Sequence, residues 1–475
     1  MALPFPDTPF FRGNYGPISM ECDAPDLPVR GEIPRALRGS LYRNGPNPQF
    51  APADPAAHHW FLGDGMVHAF HIAEGRVAYR NRWVRTPRWQ AEHAAGRALF
   101  GGFGPPADPA LRAVDSGVAN TSVVWHAGRL LALEEAHRPF ALDPVTLESL
   151  GYHDFGALKV PRFTAHPKRD PGTGELLFFA YGLGGPLGPG MAYGTVDAAG
   201  RLTRCDPFEA PYAAMVHDFL ATRRHVLFPV LPLTASLDRA MRGGPAFAWD
   251  PAQRSRIGVL RRDAPIGTIR WFEGDPCYVF HVLNAWEAPG SEGEAILADV
   301  MQSAAAPLFP RADDPSAPPA DSPARLTRWR FDLAGATDRF TATPLDDLAG
   351  EFPRLDERVA GLPNRVGFFA ASTRASPGGA FDSIVRIAPA TGQRALFTVP
   401  PGDAVSEPVF VPRGVAAPEG EGWLLVVVWR GAENRSDLVV LDAAAPEAGP
   451  LATAMLSHRV PHGFHGAWRP DPSAA

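Results

Sequence analysis

The stretch AFHIAEGRVAYRNRWV, residues 69–84, is the unit that decides the expected fold. An apolar strand leads into a short turn and a second strand follows, which is the pattern of a β-hairpin. Similar units recur at intervals of roughly 50 to 80 residues. The other six are FALDPVTLESLGYHDF (140–155), YGTVDAAGRLTRCDPF (193–208), FAWDPAQRSRIGVLRR (247–262), WRFDLAGATDRFTATPL (329–345), VRIAPATGQRALFTV (385–399) and VVLDAAAPEAGPLATAML (439–456).

Each hairpin is too small to bury its own apolar face, so seven dispersed hairpins suggest radial repetition in a β-propeller. A large β-sandwich, or a pair of sandwiches, is the alternative. We therefore expect an all-β, seven-bladed propeller with a cap of loops and short helices over one face, forming a single domain over 1–475. Residues 91–100 and 235–244 are the expected short helices, and 310–324 is an expected surface loop.

Composition excludes several functions. The formal net charge is -6 with acids and bases interspersed, which leaves no polybasic patch for nucleic acid. The three cysteines are scattered without a CxxC pair, so neither a disulfide framework nor a cysteine-based zinc site is expected. A reducing cytoplasm fits this usage best. Neither a signal peptide nor a membrane span is predicted, and peripheral membrane contact stays open.

Four histidines occur in apolar or tightly turned strand contexts: His166 in FTAHPK, His217 in AMVHDF, His281 in YVFHVLNAW and His465 in GFHGAW. They are 51, 64 and 184 residues apart, so each falls on a different blade of a propeller. Inner strands converge on the propeller axis, where four such side chains can meet. Any one of them alone is more often a structural residue, but the set indicates a metal site for Fe, Cu, Ni or Zn.

Four neutral imidazoles leave a divalent cation with its full charge. Carboxylates behind the ligands offset that charge, and they accept the other imidazole N–H and fix its tautomer. Three glutamates stand in suitable apolar or turn-rich strings: Glu135, Glu351 and Glu407.

The ordered set FLGDGMVHAF, ANTSVVWHAGRLLALEE, FTAHPK, MVHDF, FHVLNAWE, EFPRLDER, EPVFVPR and GFHG resembles the carotenoid cleavage oxygenase family across nearly the whole chain. This resemblance implies a seven-bladed propeller with one non-haem Fe(II) on its axis, held by the four histidines. It places the three glutamates behind the ligands and Thr121 beside an open coordination position. His462, three residues before His465, then lines or supports the site rather than binding iron.

The resemblance further implies a dioxygenase. Ferrous iron activates O2 for addition to a conjugated C=C bond, and both oxygens end on the two carbons as carbonyl groups. The protein supplies an apolar tunnel and alignment of one double bond. A small apolar or aromatic alkene is the only partner implied.

The family divides between long polyenes and phenolic alkenes such as stilbenes and isoeugenol-like phenylpropenes. Phenol-cleaving bacterial members carry a Lys before the first glutamate and a Tyr in an LFGxY string. This chain has Glu134 and Phe103 there. We therefore expect an apocarotenoid or carotenoid substrate, with stilbene or phenylpropene cleavage as the alternative. The expected pocket residues are Trp60, Phe61, Phe103, Glu134, Phe309 and His462.

Three rival interpretations remain. A non-catalytic binding propeller would need no iron. A propeller hydrolase or lactonase would favour oxygen ligands, which the four histidines argue against. Isomerohydrolase chemistry, known within the same family, would retain the iron and consume no O2. Segment 226–241 is an expected tunnel-mouth element that either contacts lipid or forms a buried cap.

Overall fold

The computed structural model describes residues 4–52, 54–55, 58–103, 108–290, 293–374 and 380–471. The chain divides into two compact units. Unit 1 comprises Met1–Asp154, Ser372–Arg386 and Ala395–Ala475, and unit 2 comprises Phe155–Ala371 and Ile387–Arg394. Strands dominate both units, and we number the sheets by the order in which most of their strands occur in the chain.

Unit 1 contains sheets 1, 2 and 7, whose strands are given in spatial order. Sheet 1 consists of Cys22–Ala24, Arg76–Trp83, Gly65–Ala73, Gly39–Pro46 and Gly466–Pro470. Sheet 2 consists of Ser122–His126, Arg129–Leu133, Phe140–Leu142 and Ser149–Tyr152. Sheet 7 consists of Val29–Gly31, Pro450–Met455, Arg435–Asp442, Gly422–Arg430 and Ala404–Val405, and Val409–Pro412 also pairs with Gly422–Arg430.

Unit 2 contains sheets 3, 4 and 5 and a two-stranded ribbon. Sheet 3 consists of Lys168–Arg169, Leu176–Leu183, Gly190–Val196 and Leu202–Glu209. Sheet 4 consists of Leu220–Ala221, His225–Val230, Ser255–Arg261 and Arg270–Gly274. Sheet 5 consists of Tyr278–Gly290, Gly293–Ser303, Arg325–Asp332 and Thr341–Pro344, and the ribbon pairs Leu233–Ala235 with Phe247–Trp249.

Sheet 6 consists of Gly350–Arg354, Gly367–Ala371, Ser383–Ala388 and Gln393–Thr398, whose residues are divided between the two units. Across the described ranges there are thus seven sheets of four or more strands. This arrangement is that of a seven-bladed β-propeller and confirms the predicted fold class.

The helices are short. In the ranges that the structure describes, the α-helices are α1 (Pro87–Ala95) and α2 (Leu237–Met241), and the 3-10 helices are Pro9–Phe11, Gly13–Tyr15, Trp60–Leu62, Pro109–Ala113, Ile266–Thr268, Glu357–Val359 and Pro446–Ala448. Among the described residues, no helix has the length and apolar character needed to cross a membrane.

The hairpin at 69–84 forms as predicted. Strands Gly65–Ala73 and Arg76–Trp83 pair from Met66 opposite Trp83 to Ala73 opposite Arg76. The two turn residues, Glu74 and Gly75, have φ of 51° and 76°. Both values are positive, as a type I′ turn requires, and this turn matches the twist of the flanking strands.

Strands Gly39–Pro46 and Gly65–Ala73 of sheet 1 are buried on both faces within unit 1, whereas Arg76–Trp83 alternates buried residues with more exposed arginines. Phe70 and Ile72 belong to one apolar cluster with Leu425 of sheet 7. Val67 and Ala69, on the other face of the same strand, pack with sheet 2 in a second cluster. A strand packed between two other sheets buries the side chains on both of its faces. Its sequence therefore lacks the alternation of apolar and polar residues that marks a strand with one exposed face.

Two local predictions were wrong in detail. Segment 247–262 does not form a hairpin: Phe247–Trp249 pairs with Leu233–Ala235, and Ser255–Arg261 joins sheet 4. Helix α1 begins earlier than the predicted 91–100, because the Thr86 hydroxyl accepts from the Trp89 amide and Pro87 opens the helix. Gly96 ends it with φ 63°. Helix α2 lies inside the predicted 235–244, and 310–324 is a loop apart from one bridging residue.

Candidate metal centre

Three of the predicted ligands meet in unit 2. His166 lies before strand Lys168–Arg169, where its amide bonds the Thr164 hydroxyl at 2.9 Å. The Nε2 atoms of His166 and His217 are 3.1 Å apart, and those of His217 and His281 are 3.2 Å apart. Neighbouring imidazole ligands that each bind a metal at about 2.1 Å lie about 3 Å apart when they subtend a right angle. These separations therefore suit a shared cation.

A β-bulge aims His281 at this point. The pairing of strand Tyr278–Gly290 with its neighbour shifts register between Val279 and Val282 and again before Asn284. Bulges rotate a side chain out of the regular alternation and are frequent beside active sites. His281 occupies the irregular stretch, so the local break in the ladder sets its direction.

Asp218 joins the three histidine-bearing segments and was missed at the sequence level. Its carboxylate is buried, accepts from the Val282 amide at 3.1 Å and pairs with Lys168 Nζ at 2.6 Å. It thereby ties together residues adjacent to His281 and near His166. The only sequence signal was its position directly after His217 in MVHDF.

Glu351 holds the second ring nitrogen of His281. Its Oε2 lies 2.7 Å from His281 Nδ1 and also accepts from the Phe352 amide at 3.0 Å. The Phe352 ring stacks on His281 at 5.2 Å between ring centroids. Burial raises the pKa of Glu351 to about 8, and a cation at the imidazoles acts in the opposite direction.

The fourth histidine is held in the same way within unit 1. Glu407 Oε1 lies 2.9 Å from His465 Nδ1, and Oε2 accepts from the Gly466 amide at 2.8 Å. Glu407 and His465 are both buried. With a proton on Nδ1, His465 donates to Glu407 Oε1 and directs the Nε2 lone pair to a metal.

The four predicted ligands form one group. One ligand nitrogen from each of them lies within 4.8 Å of the others. Four neutral imidazoles without a thiolate are a donor set that suits iron, copper, nickel or zinc, and two of them have carboxylates directly behind them. The residues present therefore fit a divalent transition metal.

Thr121 lies on the segment that leads to His465. Its carbonyl accepts from the His465 amide at 3.2 Å, and its own amide bonds Leu133 O at 2.9 Å. The Thr121 hydroxyl donates to Asn120 Oδ1 at 3.0 Å. Glu135 is half-buried just beyond strand Arg129–Leu133. Its predicted role behind a ligand stays a prediction.

The predicted aromatic pocket residues are partly brought together. Trp60 and Phe61 form the 3-10 helix Trp60–Leu62, and both contact the ring of Phe464, at 4.5 and 5.5 Å between centroids. Phe103 is 40% exposed and lies 5.3 Å from the His59 ring. Phe464 was missed, although its place beside His465 in GFHG was a usable signal.

Phe309 belongs to unit 2, and His462 belongs to unit 1, where it is half-buried. Phe309 is buried within unit 2. His462 contacts the Tyr15 ring at 4.7 Å and lies 3.4 Å from Asn14 Nδ2. Burial lowers the pKa of His462 to about 3, so this ring is neutral at physiological pH. Its predicted role of lining or supporting the site stays a prediction.

Glu134 points at backbone amides. Its Oε1 accepts from the amides of Val118 at 2.7 Å and Ala119 at 3.1 Å, and His137 Nδ1 lies 3.2 Å from the same oxygen. Burial acts to raise the pKa of Glu134, but His137 and the two amides outweigh it and hold the pKa below its ordinary value. Substrate contact by Glu134 stays a prediction.

A propeller carrying four clustered histidines, with glutamates behind two of them, defines the class of four-histidine metal oxygenases. Residues 15–470 match the family described as retinal pigment epithelial membrane protein, RPE65. The chain belongs to this family, that of the carotenoid cleavage oxygenases, which are non-haem iron oxygenases that cleave alkene bonds. It is thus an oxidoreductase that incorporates O2.

Three known proteins illustrate the similarity. An isoeugenol monooxygenase of Pseudomonas nitroreducens is 40% identical over 98% of both chains. A carotenoid cleavage oxygenase of Mycobacterium tuberculosis is 34% identical over 97% of both chains. The crystal structure of a lignostilbene dioxygenase from Pseudomonas brassicacearum superimposes with a TM-score of 0.94 at 38% identity, covering 99% of this chain and all of that one.

Proposed function

We propose that the protein binds one Fe(II) per chain through His166, His217, His281 and His465 and uses O2 to cleave a conjugated C=C bond into two carbonyl products. The observation that carries the proposal is the convergence of four imidazole nitrogens within 4.8 Å. When bound, the iron supplies activation of O2 for addition to an electron-rich alkene.

The protein's own residues hold and shield the reacting groups. Glu351 and Glu407 keep a proton on Nδ1 of His281 and His465, so that Nε2 faces the metal, and their charge offsets that of the cation. The ring cluster of Trp60, Phe61 and Phe464 offers an apolar surface that excludes water and aligns a flat conjugated substrate.

We infer that the substrate is an aryl-conjugated alkene, a phenylpropene or a stilbene. This class was the stated alternative, and it is favoured because relatives at 40% and 38% identity are named for isoeugenol and lignostilbene. An apolar polyene is the second candidate. Phe103 and Glu134 favour it, because they replace the tyrosine and lysine expected to bind a phenol oxygen.

The test offers isoeugenol, 4-hydroxystilbene and an apocarotenal in parallel to Fe(II)-loaded protein under 18O2. We expect aldehydes from an aryl alkene by mass spectrometry, with label in both products and O2 uptake. His281→Ala is the matched control and should give no product. Turnover of the apocarotenal alone would move the assignment to the polyene class. Product formation without O2 uptake would indicate isomerohydrolase chemistry, and no product at all would favour a binding propeller.

A cytoplasmic location and peripheral membrane contact stay predictions. Leu237 and Met241 of helix α2 are exposed, at 43% and 79%. Liposome flotation of the wild type and of Leu237→Ser/Met241→Ser tests the contact. Equal flotation of both proteins, or none, would count against it.

A further inference from the structure

The segment 117–121 connects Glu134 to His465, the candidate ligand that belongs to unit 1. Glu134 binds its amides at Val118 and Ala119, and its far end, Thr121, accepts from the His465 amide. Ala119 has φ 46°, a left-handed conformation that a non-glycine residue keeps only when its surroundings impose it. The two amide bonds to one buried carboxylate are such a constraint.

Other contacts fix the segment at neighbouring points. The Asn120 amide group donates to the carbonyls of Phe61 at 2.8 Å and Gly63 at 2.7 Å. A Cβ on Gly117 would lie 2.8 Å from Glu134 Oε1, closer than real contacts allow, and would also clash with the Tyr152 hydroxyl. The Tyr152 hydroxyl, the Glu134 carboxylate and the Asp115 carboxylate together therefore occupy the space that a side chain at position 117 would take.

We propose that Glu134 is a positioning residue for the oxygenase reaction: by accepting the Val118 and Ala119 amides, its carboxylate fixes the 117–121 segment and, through it, Thr121 beside His465. The inference rests on the proposed metal role of His465. It assigns Glu134 to the backbone that supports the centre, and it applies whichever alkene the protein cleaves.

Two isosteric substitutions separate positioning from charge. Glu134→Gln keeps an acceptor oxygen in place, whereas Glu134→Met fills the same space without an acceptor. Misplacement of a group near the reacting atoms lowers the rate of the chemical step by about tenfold to a hundredfold. We expect Glu134→Met to lose about tenfold or more in kcat with KM changed less than about threefold, and Glu134→Gln to retain most of kcat. Glu148→Gln, at an exposed glutamate between two strands of sheet 2, is the matched control.

Hydrogen exchange supplies a readout without substrate or metal. Peptides covering 117–121 should exchange faster in Glu134→Met than in the wild type, and at wild-type rate in Glu134→Gln and Glu148→Gln. Gly117→Ala displaces the Glu134 carboxylate by placing a methyl group against it, and it should also give faster exchange. This variant serves as the test in case Glu134→Met does not fold.

Unchanged exchange in both Glu134→Met and Gly117→Ala would overturn the proposal. So would equal losses of kcat in the Gln and Met variants, because charge rather than acceptance would then be responsible. The exchange result does not depend on turnover, so a failure of the proposed substrate class is distinguished from a failure of this inference.

Discussion

Replacing Glu407 by Gln should weaken metal binding more than the same change at Glu351. Glu407 uses both oxygens as acceptors, one from His465 Nδ1–H and the other from the Gly466 amide. The Gln side chain offers one acceptor and one donor. If its oxygen faces Gly466, its NH2 faces His465 Nδ1, and the imidazole proton must then move to Nε2, the nitrogen that the metal needs.

Metal binding to Glu407→Gln requires the Gln amide to flip, so that its oxygen no longer faces Gly466. The Gln oxygen turns to His465, and its NH2 then meets the Gly466 N–H, which is left buried without an acceptor. An unsatisfied buried group of this kind costs about 1–3 kcal/mol, or about 5- to 150-fold in affinity. At Glu351 a single oxygen, Oε2, accepts both hydrogen bonds, so one Gln oxygen can replace it.

The assay is anaerobic competition for Fe(II) against a chromophoric chelator. In the metal-bound state both variants lack one negative charge, and loss of a carboxylate behind a ligand lowers metal affinity by about 10- to 100-fold. Beyond that shared loss, Kd for Glu407→Gln should exceed Kd for Glu351→Gln by about 5-fold or more. Thermal unfolding of the metal-free proteins checks that both variants fold. Equal affinities, or a weaker Glu351→Gln, would refute the tautomer argument.

Three further predictions address the ligands, the acid response and the core. His465→Ala should lose most bound Fe(II), while His462→Phe should retain it, as measured by metal analysis. Loss of iron in His462→Phe with retention in His465→Ala would instead make His462 the ligand and His465 the supporting residue. Glu287 accepts from His225 Nδ1 at 3.0 Å and from the Thr222 hydroxyl. Burial acts to raise the pKa of Glu287, but these hydrogen bonds outweigh burial and lower the pKa to about 2. The ionised Glu287 therefore stabilises the folded protein above about pH 4.5, and this stabilisation is lost as the pH falls towards 2. Denaturation should show Glu287→Gln less stable at pH 7 and the difference shrinking by pH 3; a constant difference would contradict this. Leu438→Ala, at a fully buried site of sheet 7, should cost about 2–5 kcal/mol in urea unfolding, and a loss below 1 kcal/mol would show that the core closes over the gap.

Local chemistry made much of the fold predictable. Gly75 marks the turn of its hairpin because glycine adopts positive φ without steric cost, whereas the positive φ of Glu74 is imposed by the turn. The 247–262 segment misled because its Asp–Pro turn resembles the others, while the partner strand of Phe247–Trp249 lies upstream at Leu233–Ala235. Strand partners are chosen by long-range packing, which a local pattern does not contain.

The clustering of the four histidines was predictable, and the local structure that positions them was less so. The four histidines stand in recognisable strings, but the bulge that aims His281 exists only when two strands pair. Successive side chains of a regular strand point to opposite faces, but this alternation does not extend to Glu134. Strand Arg129–Leu133 ends one residue earlier, so neither Glu134 nor Glu135 inherits the facing of a regular strand.

Sheet 1 also dictates when the centre can be assembled during synthesis. Strand Gly39–Pro46 forms its outer pairing with Gly466–Pro470, the strand that directly follows His465. During synthesis on the ribosome, one edge of strand Gly39–Pro46 therefore remains unpaired until residue 470 has emerged. An unpaired strand edge can form hydrogen bonds with another chain and so promotes aggregation. His465, one of the four candidate ligands, emerges together with the strand that pairs with this edge. On the proposed ligand assignment, the four-histidine set is therefore complete only when the edge can close, and a chaperone that covers this edge would also delay metal binding.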